Sequence, residues 1–81
     1  MSWQVLTTRT SDPDFDAVAV EARDAVDDEL FTWVEHGPPR RSPRLFAGVV
    51  IYEDRLACGY TVTYFVDEQA QWVAVLKVEE G

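Results

Sequence analysis

The sequence predicts an α+β fold: an N-terminal strand, one long helix or a helical hairpin, then a three-stranded antiparallel meander. Three observations carry the prediction. Residues 59–78 alternate apolar and polar, break at a short polar segment, and alternate again. Residues 14–35 contain no Gly or Pro, and their apolar residues recur at steps of three and four. The connections after residue 44 are short, which makes consecutive strands antiparallel.

The first strand is expected at residues 3–8, where β-formers dominate and Trp3 and Val5 share a face. Residues 11–16 then read as a helix start. Ser11 or Asp12 can accept from an orphan N–H, and Pro13 suits the first helical position. Asp14 and Asp16 lie where the helix dipole favours negative charge. The stripe Phe15, Val18, Ala22, Val26, Leu30, Trp33 and Val34 marks the buried side, with Glu21, Asp24, Asp28 and Glu35 opposite. The pattern fits one helix or two bent near residues 20–23. His36, Gly37, Pro38 and Pro39 end it, and Pro43 keeps the next segment irregular or extended.

Residues 45–53 read as the second strand, with Gly48 marking a bulge or a close backbone approach. Asp54 and Arg55 make the connection. Residues 56–66 form the third strand, with Tyr60, Val62, Tyr64 and Val66 on one face and Thr61, Thr63 and Phe65 on the other. Residues 72–78 form the fourth. The helix covers one sheet face and leaves the other partly solvated or in use.

Eighty-one residues suit a single domain spanning residues 1–81. A chain this short buries only about 60–65% of its unfolded surface, so its ten aromatic residues matter to the core. The net charge of −8 disfavours sequence-independent binding to nucleic acid and favours basic partners. The charge is uneven: residues 11–35 hold nine acids and one base, Arg23. The one cysteine, Cys58, excludes an internal disulfide and makes a thiolate metal site unexpected. The first residues lack a basic region followed by an apolar run, no apolar run spans a bilayer, and the expected compartment is the cytoplasm.

Catalytic constellations are scarce. His36 reads as a dipole partner at a helix end, and Cys58 as an inert, half-buried thiol. The carboxylate runs at residues 27–29, 53–54 and 67–68 lack an EF-hand pattern, so no metal is expected. The four glycines are scattered, so no phosphate loop and no cofactor is expected. The distinctive local feature is residues 38–44. Arg40, Arg41 and Arg44, held among prolines, can grip a phosphate or carboxylate of a partner, or can neutralise acids of the same chain.

The order of elements resembles the RelE/ParE superfamily, the small toxins of type II toxin–antitoxin systems. The resemblance rests on "ELFTWVEHGPPRRSPRLFAG" and "YEDRLACGYTVTYFVDEQAQWVAVLKV" and covers most of residues 3–78. The break at Gly37 and Pro38, the frame Gly59-Tyr60-Thr61-Val62-Thr63-Tyr64, the acidic turn and the apolar last strand carry it. The resemblance implies a β-α(α)-β-β-β toxin fold in a bacterial protein. It also implies an antitoxin partner wrapped on helices and sheet, with Trp3, Phe46, Tyr60, Tyr64 and Trp72 as candidate contacts. An endoribonuclease of this kind would draw on Arg44, Arg55 and Tyr60 or Tyr64. Active relatives tend to have Arg where this chain has Thr61, and a basic or aromatic ending where it has Glu79-Glu80-Gly81. RNA cleavage needs cations to stabilise the phosphorane, so the resemblance implies a degenerate member acting by protein–protein contact. The alternatives are an active endoribonuclease and an acidic regulatory module that is homodimeric through a sheet edge or face.

Overall fold

In the computed structural model, which describes residues 2–8, 12–18 and 20–80, the elements follow in the expected order. They are β1 (Gln4–Thr7), α1 (Asp12–Ala17), α2 (Val20–His36), β2 (Arg44–Phe46), β3 (Val49–Arg55), β4 (Tyr60–Asp67) and β5 (Trp72–Glu80). The candidate cap Ser11 and the side chains of Asp12 and Phe15 lie outside the described residues. The strands make one sheet in the order β1-β5-β4-β3-β2. β1 runs parallel to β5, and every other neighbour pair is antiparallel. The expected meander is therefore present, extended by a hairpin on one edge and by the first strand on the other.

The helical segment is two helices. The break falls just before the expected bend. Arg23 closes it: its guanidinium donates to the carbonyls of Asp16 at 2.9 Å and Val18 at 3.1 Å. These are carbonyls that the end of α1 leaves without intrahelical partners. The one base in the acidic stretch is thus a capping group. At the far end of α2, the Gly37 N–H donates to the Trp33 carbonyl at 2.8 Å. Gly37 has φ 83°, and a Cβ there would stand 2.9 Å from Nε1 of Trp3. Only glycine meets both demands. The Trp3 N–H also donates to the Val34 carbonyl at 2.7 Å, tying the start of the sheet to the end of the helix.

Residues 45–53 are two strands where one was expected. Phe46 pairs with Val49, and the residues between them, Ala47 and Gly48, have φ of 50° and 80°. Two consecutive positive φ values are what a type I′ hairpin turn requires. The alternation runs through this turn uninterrupted, and Ala is not a residue that announces it. Asp54 and Arg55, expected as a connection, are the last residues of β3, paired with Val62 and Thr61. The turn lies beyond them, closed by Leu56 N–H to the Tyr60 carbonyl at 2.7 Å and Gly59 N–H to the Leu56 carbonyl at 3.0 Å.

Val26, Leu30 and Trp33 of α2 press onto Tyr60, Val62, Tyr64, Val73, Val75 and Val78 of the sheet. The step from Val75 to Val78 departs from a period of two. Tyr64 pairs with Val75 and Thr63 with Lys77, so Leu76 is an extra residue. This β-bulge returns Val78 to the helix side. β1 ends opposite Val75. Past that point α1 covers the edge of β5, with Asp14 Oδ2 accepting from the Val78 N–H at 3.0 Å.

Candidate functional site

The loop after α2 carries Arg40, Arg41 and Arg44, and its backbone is unusual. Arg40 and Ser42 have φ of 62° and 49°. Each such residue costs about 1–2 kcal/mol and persists only where surrounding contacts impose it. The contacts are present. The Arg40 N–H donates to the Tyr64 hydroxyl at 2.8 Å, and the Arg41 N–H to Asp54 Oδ2 at 3.2 Å. The Glu53 N–H donates to the Arg41 carbonyl at 3.2 Å. The Arg40 side chain forks onto both oxygens of Glu68 at 2.7 and 3.0 Å, and its guanidinium carbon lies 5.2 Å from the centre of the Trp3 ring. The Glu68 hydrogen bond raises Arg40 above its ordinary pKa, and Arg40 lowers that of Glu68.

Beneath the loop, the Tyr64 hydroxyl donates to Asp54 Oδ2. Asp54 is 2% exposed and Tyr64 is fully buried. Burial, and then the bond to Asp54, push the Tyr64 hydroxyl well above the ordinary tyrosine value. Asp54 Oδ1 is buried without a hydrogen-bond partner among the described residues, and the nearest cation is Arg41 Nε at 3.8 Å. Tyr64 lies between Trp33 and Tyr52, with ring centroids 4.7 and 5.6 Å away. The phenol therefore serves as a rivet between core and loop.

Among the described residues, no helix covers the opposite face of the sheet. Register places Ile51, Phe65, Ala74 and Leu6 side by side across it. Phe46, Val49 and Leu76 extend this shallow apolar surface. Farther along the strands, Glu53, Thr63 and Lys77 form one row, and Arg55, Thr61 and Glu79 the next. Glu53 accepts from Arg44 at 3.1 Å, and Lys77 pairs with Glu79 at 3.3 Å.

The residues singled out in the sequence fall on different surfaces. Arg44 and Arg55 stand on the open face, while Tyr60 and Tyr64 point into the core on the other. The structure does not bring these four around one point. Arg40, Arg41 and Arg44 each lie beside a carboxylate of the sheet or its turns: Glu68, Asp54 and Glu53. Of the candidate aromatic contacts, Tyr60 and Tyr64 are core, Trp3 is half-buried, and Phe46 is 68% exposed. Trp72 is half-buried, with its ring 5.7 Å from that of Phe65. His36 lies on the surface 3.7 Å from Glu35, and Cys58 packs half-buried against the core. No cluster of side chains suited to a metal occurs among the described residues. Glu53 and Asp54 were legible only as an acidic pair without a metal pattern, and Lys77 only by its place in a strand. Their grouping needs the pairing register.

No protein-family model matches the chain, and no curated protein sequence matches it significantly. Solved structures do. The RelBE2 toxin–antitoxin complex from Mycobacterium tuberculosis contains a chain that superposes with a TM-score of 0.83 at 18% identity, covering 100% of both chains. The archaeal RelE–RelB complex from Pyrococcus horikoshii gives 0.77 at 16% identity, covering 99% of this chain and 96% of that one. The isolated RelE toxin of E. coli gives 0.75 at 17% identity, covering 99% of this chain and 85% of that one. The chain has the RelE-like toxin fold.

Proposed function

We propose that the chain is the toxin-family component of a toxin–antitoxin pair and acts by protein–protein contact. The match to RelE chains over its whole length supports the first part. The charge on the open sheet face supports the second. Arg44, Arg55 and Lys77 stand there among Glu53, Asp67 and Glu79, so the face offers no net cationic field for an RNA backbone. The solved complexes pair RelE with RelB, and a small protein encoded next to this chain is the partner expected here. With a net charge of −8, that partner would carry basic residues.

Induced expression should arrest growth, and co-expression of the neighbouring reading frame should relieve it. Unaffected growth together with no association between the two purified proteins would refute the reading. The endoribonuclease alternative draws support from Arg55, which is exposed on the open face. It requires ribosome-bound message to be cleaved by wild-type protein and left intact by Arg55→Ala.

A further inference from the structure

The open sheet face carries two surfaces in separate bands. One is apolar: Leu6, Ile51, Phe65 and Ala74 in register across β1, β3, β4 and β5. The other is a square of charges. Glu53 and Lys77 occupy β3 and β5 at one level, and Arg55 and Glu79 occupy the same strands at the next. Like charges therefore lie on the diagonals. This arrangement is complementary to its own rotated copy.

We propose that this face binds a second copy of the chain, the two sheets packing face to face about a two-fold axis that runs along β4. Rotation about that axis exchanges β3 with β5 at each level and leaves the levels in place. Glu53 then faces Lys77 of the partner subunit, and Arg55 faces Glu79 of the partner subunit. Isologous symmetry makes each contact occur twice. At the apolar band Phe65 lies on the axis against its own copy, Ile51 covers Ala74 of the partner subunit, and at the row's ends Leu6 meets the aliphatic stem of Arg44 of the partner subunit. A two-fold axis in the sheet plane but across the strands matches one band at a time: centred on either band it leaves the other without its copy, and centred between them it lays hydrocarbon on charge. The pattern thus selects one axis. Aligned sheets pack about 10 Å apart at about 30°, which keeps the rows nearest the axis matched.

The net charge of −8 does not oppose this contact as a whole, because Arg44, Arg55 and Lys77 balance Glu53, Glu79 and Asp67 on this face; Asp67 ends β4 and meets its own copy near the axis, a like-charge contact at the rim. Arg55 has no ion pair among the described residues; the copy supplies one. The exposed pair of Lys77 with Glu79 within one chain is weak enough to be rearranged. The inference does not rest on toxicity, and its test uses the isolated chain.

Sedimentation equilibrium of the full chain should show a dimer. Lys77→Glu should raise the dissociation constant on the order of tenfold or more, because one reversal creates two like-charge contacts. Glu53→Lys should do the same. The double variant, Glu53→Lys with Lys77→Glu, should restore wild-type association, since both reversed partners meet again. Arg55→Glu with Glu79→Arg gives an independent pair if either first variant loses its circular dichroism spectrum. A wild-type chain that stays monomeric to about millimolar concentration overturns the proposal. So do single reversals that leave association unchanged, or folded double variants that fail to recover it.

Discussion

The two faces of this sheet are built from the same alternating strands and have opposite fates. On one, Tyr64, Val62, Val73 and Val75 lie under α2 with no exposure, and Asp54, the one buried acidic or basic side chain among the described residues, is held by Tyr64 and the Arg41 backbone. On the other, Phe65 and Ile51 stay partly open and the charges pair loosely at the surface. Adjacent residues of β4, Tyr64 and Phe65, therefore differ in everything except strand and size. The contrast teaches that stability is concentrated on one side and that the other side is free to carry contacts.

The largest test of that contrast is truncation of the two neighbours. Tyr64→Ala should cost about 4 kcal/mol in urea unfolding, through the cavity and the stranded Asp54. Phe65→Ala should cost about 1 kcal/mol in the monomer, because its ring is only half removed from water. Equal losses would break the comparison.

A gentler change isolates the rivet. Tyr64→Phe keeps the ring and removes the donor to Asp54, and should cost about 2 kcal/mol at neutral pH by the same measurement. The folded state holds the Tyr64 hydroxyl above its ordinary value of 10.0. Its contribution is therefore complete below pH 10 and is lost as the pH rises from there toward the native value. Wild-type stability should fall more steeply than that of Tyr64→Phe above pH 10.

The smallest effect belongs to the surface. Arg40 holds Glu68 below its ordinary 4.5. This contribution is present above pH 4.5 and lost as the pH falls through the lowered native value. Glu68→Gln should lower the melting temperature slightly at pH 7, and the gap should narrow as the pH falls below 4.5. A gap unchanged by acid would show that the side chain acts by packing rather than by charge.

Much of this molecule was legible in its sequence. The stripe ending in Val26, Leu30 and Trp33 named the buried side of α2. The alternation from Tyr60 to Val66 separated the two faces of β4, and the structure made the face of Tyr60, Val62 and Tyr64 the core. Both are local periods that a hydrophobic layer imposes. The turn at Ala47 and Gly48 was not legible, because alternation runs through it and Ala is not a turn signal. The arginine loop was legible as a cluster and not as a set of partners.

The sequence by itself determined the order strand, helical segment and meander, and which side of the helical segment would be buried, since an apolar stripe at steps of three and four allows one solution. Tertiary structure decided the rest: that β1 adds in parallel beside β5, that Asp54 comes under the arginine loop, and that Glu53, Arg55, Lys77 and Glu79 become a square. These depend on register between segments far apart in the chain. A shift of one residue would send every one of those side chains to the opposite face.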